Sequence, residues 1–79
     1  MQSFAALIDL WPDMAVLSSD TGVKESHLRT MKARNSVPPD YWPAFVDSAK
    51  RRGIPGVTFD VLAGLYARRQ RVRRMAEAS

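Results

Sequence analysis

The chain contains no cysteine, which excludes disulfide cross-links and thiolate metal sites. It has one histidine, His27. With no cysteine or paired carboxylate motif beside it, that imidazole is a poor candidate for metal binding or catalysis. No apolar run approaches the roughly 18 residues of a membrane span. The opening MQSFAALIDLWPD has no basic leader, and its apolar stretch is amphipathic rather than continuous, so no secretory signal is expected. Alternating apolar and polar runs are few, which argues against strands. No nucleophile–base pair or metal set can be assembled, so neither enzyme activity nor a cofactor or small-molecule substrate is expected. A reducing cytoplasm suits a chain without cysteine and is the expected location.

What is present fits one soluble domain spanning residues 1–79. Apolar residues make up 46% and charged residues 25%, too apolar a mixture for a disordered chain. The net charge is +4, but it is unevenly spread. Residues 1–23 hold three acids (Asp9, Asp13, Asp20) and no Lys or Arg. Residues 24–79 hold all twelve basic residues against five acids, a local net charge of +7. Such polarity gives a positive face suited to a polyanion.

Turn signals cut the chain into about five helical pieces, an all-α compact bundle. The first runs from about Ser3, a plausible N-cap, to Leu10. Its stripe is Phe4, Leu7, Ile8 and Trp11, and Pro12 ends it. The second runs from about Asp13, again a cap, to Asp20. Thr21-Gly22 then break the helix, because glycine tolerates the positive φ of a helix end. The third covers about Lys24 to Ala33, with Val23, Leu28 and Met31 inward. Asn35 to Pro39 is a linker. The fourth begins near Pro39 or Asp40 and ends near Arg52, with Pro43 in its first turn and Trp42, Phe45, Val46 and Ala49 as its stripe. Gly53-Ile54-Pro55-Gly56 closes it. The fifth starts after Thr58 as N-cap, with Asp60 near the positive helix end. Phe59, Leu62, Ala63 and Tyr66 are its expected inward stripe.

The stretch Met14 to Ala33, MAVLSSDTGVKESHLRTMKA, has the spacing of a helix-turn-helix. Two helices joined by a tight turn need a small residue at their approach, glycine in the turn, and apolar residues where the second rests on the first. Ala15, Leu17 and Ser18 serve on the first helix and Gly22 in the turn. Val23, Leu28 and Met31 dock the second. The purpose of such a unit is to set one helix into the major groove of DNA, and Lys24, Arg29, Lys32 and Arg34 give that helix the charge for it.

On Leu17, Ser18, Thr21, Gly22, Val23, Leu28 and Met31 the sequence resembles the phage repressor and Cro family of helix-turn-helix regulators. The downstream text VPPDYWPAFVDSAKRRGIPGVTFDVLAG is similar to a proline–aromatic segment of small Cro/YdaS-like phage and prophage regulators. The two stretches span about residues 12–66. Ser18 stands where the family more often has Ala. The resemblance implies a lambda-repressor-like fold and a sequence-specific double-stranded DNA-binding regulator, a repressor. It also makes the third helix the recognition helix. Its outward positions for base reading are Lys24, Glu25, Ser26, Arg29 and Thr30, with Lys24 also suited to a phosphate. Arg29 is the first choice, since a guanidinium bonds guanine O6 and N7 together. Ser26 and Thr30 suit base edges or a thymine methyl. Glu25 accepts from cytosine N4 or orients Arg29. Lys32, Arg34 and Asn35 are the expected phosphate contacts. The family often has Gln at the first residue of the preceding helix; here that residue is Met14 after Asp13, which weakens the phosphate grip.

Tyr41, Trp42 and Phe45 cluster at a helix start and are read as core rather than as a stacking platform for single strands. Asp9, Asp13 and Asp20 are read as caps and solubilising charges. The arginine-rich end, about residues 67–79, suits extra phosphate contacts. Val61, Leu65, Val72 and Met75 keep heptad-like spacing and are the expected dimer face. A homodimer on two half-sites about 34 Å apart multiplies the affinity of a small unit. The alternative function is a helical protein-interaction adaptor, an anti-repressor or antitoxin-like partner that reads no DNA.

Overall fold

A computed structural model describes the backbone of residues 3–78 and the side chains of residues 3–71. Among the described residues it is all-α, with five helices and no strand: α1 (Phe4–Ile8), α2 (Met14–Thr21), α3 (Glu25–Arg34), α4 (Trp42–Arg52) and α5 (Phe59–Ala78). A single 3-10 turn, Pro39–Tyr41, leads into α4.

Local chemistry sets the boundaries. The Ser3 hydroxyl accepts the Ala6 N–H at 3.1 Å, and an Asp13 carboxylate oxygen accepts the Val16 N–H at 2.8 Å. The Thr58 hydroxyl does the same for Val61 at 3.2 Å. Each satisfies a donor that the first helical turn leaves unpaired. Pro43 sits in the first turn of α4, where no N–H is required of it. Helix α1 ends at Ile8, two residues before the expected boundary, because the chain tightens into the Leu10→Leu7 and Trp11→Ile8 turn bonds ahead of Pro12.

The core is one cluster to which every helix contributes. Phe4, Leu7, Leu17, Leu28, Phe45 and Leu62 are fully enclosed, and burial of each such side chain stabilises the fold by about 1.5–3 kcal/mol. Trp11 meets Phe45 edge to face, with ring centroids 5.7 Å apart, a favoured aromatic geometry. Helix α3 rests on α1 and α2, α2 also packs on α4, and α4 packs on α5. Four residues between the helices join the core, Trp11, Val23, Val37 and Val57. Val37 and Val57 anchor the linkers on either side of α4.

Helix α5 turns a different face inward from the one its sequence suggests. Leu62 and Leu65 are buried and Val61 packs against the core. Phe59 is 50% exposed, Tyr66 36%, and Ala63 is also exposed. The apolar residues of α5 spread around most of its circumference, so contact with α4 selects the stripe. Leu65 is thereby enclosed within the protomer and is not part of an outer dimer face, while Val61 is half-buried. Val72 and Met75 lie outside the residues whose side chains are described. Trp42 is half-buried, its indole N–H donating to the Val37 carbonyl at 2.9 Å and its ring edge-on to Tyr66.

Candidate nucleic-acid interface

The turn between α2 and α3 is built by two residues. Gly22 adopts φ 77°, a left-handed conformation that glycine enters without steric cost, and its N–H donates to the Ser18 carbonyl at 2.8 Å. The Thr21 hydroxyl donates to the Leu17 carbonyl at 2.7 Å and accepts the Val23 N–H at 3.3 Å. It ties the end of α2 to the start of the next segment. Val23, Leu28 and Met31 are buried, so these three hold α3 against its neighbours. Ala15 is exposed and takes no part in the close approach; Leu17 is fully buried and Ser18 half-buried.

With Leu28 and Met31 inward, Ser26, Arg29, Thr30 and Ala33 form one exposed stripe at helical spacing. The Arg29 side chain is 65% exposed and its guanidinium lies 3.5 Å from the Glu25 carboxylate one turn earlier. At that distance the pair is loose, so Arg29 remains available to another acceptor. The Thr30 hydroxyl donates to the Ser26 carbonyl at 3.1 Å. Lys24 is the N-cap of α3, exposed, and its side chain makes no capping bond. His27 is exposed and meets the Tyr41 ring edge to face at 5.2 Å, linking α3 to the 3-10 turn. Of the five positions expected to read bases, Ser26, Arg29 and Thr30 share the solvent side of α3, Lys24 is exposed just before the helix, and Glu25 is half-buried at its edge.

The expected phosphate contacts divide. Arg34 is exposed. The Lys32 ammonium pairs with the Asp9 carboxylate; both side chains are partly open to solvent, and such a pair is worth only about 0–1 kcal/mol. Asn35 is differently employed. It caps α3 in the left-handed region at φ 53°, and its side-chain oxygen accepts the Ala5 N–H of α1 at 2.9 Å. Its amide oxygen is therefore a joint between two helices, which holds the side chain against α1. At the start of α2, the carboxylate of Asp13 closes the helix end itself. A phosphate there meets a negative charge.

Sequence reasoning missed the most connected polar residue. Asp20 is no solvated charge: its side chain is 14% exposed and takes two hydrogen bonds from Arg52, through Nε and Nη2. The same carboxylate accepts the hydroxyl of fully buried Ser48 at 2.7 Å, and Ser48 accepts the Trp11 indole N–H at 2.9 Å. Arg51 donates to the Asp20 carbonyl at 3.0 Å. The Arg52 hydrogen bonds, followed by that from Ser48, hold the Asp20 carboxyl down at about 2, against an ordinary 3.8. This network joins α2 to α4 and to the segment after α1. A weak signal was available: Ser48 borders the inward stripe of α4 beside Phe45, and a buried hydroxyl requires partners.

Comparison of the chain with protein-family models, curated proteins and solved structures gives no match.

Proposed function

We propose that this protein is a sequence-specific double-stranded DNA-binding regulator, a repressor of phage or prophage type, with α3 as its recognition helix in the major groove. The observation that carries the reading is the exposed Ser26–Arg29–Thr30 stripe, on a short helix seated by Val23, Leu28 and Met31 across a glycine turn. A rigidly held helix with its polar side free is what groove reading requires. The excess of positive charge after residue 23 supports the same partner. Binding as a homodimer to a two-fold site, in a bacterial cytoplasm, is part of the proposal. No described helix is long and apolar enough to cross a membrane.

Selection of bound sites from random duplex DNA at about 150 mM salt tests the reading, because non-specific binding is largely suppressed there. An enriched motif is the expected result, and a palindromic one reports the two-fold. Recovery of unselected sequence overturns it. The adaptor reading keeps one specific support, the exposed aromatic edge of Phe59 and Tyr66 on α5. Sequence-indifferent DNA binding combined with a tight protein complex is its signature.

A further inference from the structure

The C-terminal end of α3 is tied down from two directions. Asn35 reaches α1 through its side-chain oxygen, and the carbonyl of the same residue accepts Nε of Arg69 at 3.1 Å. Nη2 of Arg69 donates to the Arg34 carbonyl at 3.2 Å. Arg69 is half-buried, one turn beyond the buried Leu65 on the inward side of α5. Among the described residues, both hydrogen bonds from α5 to the end of α3 come from this one guanidinium. The last carbonyls of a helix have no partners within it and carry its negative dipole end, so a forked cation suits them twice over. A lysine offers no such fork.

From this geometry we infer that Arg69 is a positioning residue for DNA reading: it sets the tilt of α3 and contacts no DNA itself. The inference rests on the proposed function. Helix α3 has ten residues and is about 15 Å long, so a tilt of about 10° at its C-terminal end moves its first turn by about 2.6 Å. That displacement exceeds the tolerance of a hydrogen bond to a base edge. Arg69 therefore separates from the other arginines of α5. A phosphate contact adds to the salt dependence of binding, whereas a positioning residue changes which sequence is preferred and leaves that dependence unaltered.

The test compares Arg69→Met with Arg71→Met, which removes the same charge from an exposed position of α5, and with Arg69→Lys. In the free protein, amide hydrogen exchange is followed at Asn35 and Ser36, whose N–H groups close the end of α3 on Lys32 and Met31. Arg69→Met is expected to lose about tenfold protection there, and Arg71→Met none, since local opening alone is altered. With DNA, Arg69→Met is expected to lower the ratio of selected-site to random-site affinity by about tenfold, the scale of one good base contact. Its salt slope is expected to equal that of the parent, and Arg69→Lys to fall between Arg69→Met and the parent in site preference. Unchanged exchange in Arg69→Met overturns the positioning role without reference to DNA, and Arg69→Lys carries both measurements should the methionine variant not fold. Faster exchange with an intact site preference overturns the link to reading. A salt slope below that of the parent, with both affinities falling together, makes Arg69 a phosphate contact instead. Failure of the parent protein to discriminate sites appears before any variant is made; it overturns the DNA reading and this inference together.

Discussion

The Asp20 carboxylate and the Arg52 guanidinium meet through two hydrogen bonds across the α2–α4 contact, and the buried Ser48 hydroxyl closes on the same carboxylate. Helix α2 is thereby pinned to the scaffold by charge as well as by Leu17. Acid should release the pin. In the folded protein the Asp20 carboxyl titrates at about 2, and its ordinary value is 3.8. A depressed folded value means that the stabilisation is fully present above about 4 and disappears as pH falls from there through about 2. Urea midpoints measured from pH 5 to pH 2 should drop more steeply for the parent than for Asp20→Asn, which cannot titrate. Parallel curves would remove Asp20 from the acid transition.

Ser48 also serves Trp11, which is itself 4% exposed. Ser48→Ala leaves the indole N–H buried without its acceptor, a cost of about 1–3 kcal/mol in unfolding free energy. Combining it with Trp11→Phe removes donor and acceptor together. The double variant should then be more stable than the sum of the single losses implies, by about 0.5–3 kcal/mol. Strict additivity in chemical unfolding would show that the bond contributes nothing.

Much of the backbone was legible because it is decided locally. Ser3, Asp13 and Thr58 cap the turns that follow them, and Gly22 and Gly53 end helices in the left-handed region. The outward stripe of α3 was legible for the same reason, since Leu28 and Met31 leave only one side for Ser26, Arg29 and Thr30. What escaped depends on distant partners. Asp20 meets Ser48 across 28 positions and Arg69 meets Asn35 across 34, and no spacing rule links such pairs. In α5 the fault was phase: Phe59, Val61, Leu62, Leu65 and Tyr66 allow two stripes, and only contact with α4 chooses. Nor did the sequence show that the start of α1 takes its acceptor from Asn35, 30 positions away.

Gly22 offers a test of the turn that is free of packing effects. A Cβ built there meets nothing within 4 Å, so Gly22→Ala introduces backbone strain alone. The expected loss is about 1–2 kcal/mol, read as a lower thermal or urea midpoint. Gly22→Asn should lose less, because asparagine tolerates the left-handed region. An alanine variant as stable as the parent would mean that the chain can turn without positive φ at this point.

Arg29 separates stability from recognition. Its side chain is 65% exposed and its one partner, Glu25, is 3.5 Å away, so Arg29→Ala should shift unfolding free energy by no more than about 0.5 kcal/mol. Its proposed role predicts a much larger effect on DNA. Loss of a bidentate guanine contact lowers affinity for the selected site by about 1–3 kcal/mol, while random duplex of equal length should lose only the small share due to one positive charge. Arg29→Lys keeps the charge without the planar fork, so it should restore the salt dependence and leave most of the sequence preference missing. Equal losses on selected and random DNA would reassign Arg29 to the phosphate backbone. Base reading would then have to come from Lys24, Glu25, Ser26 and Thr30, none of which presents a forked donor.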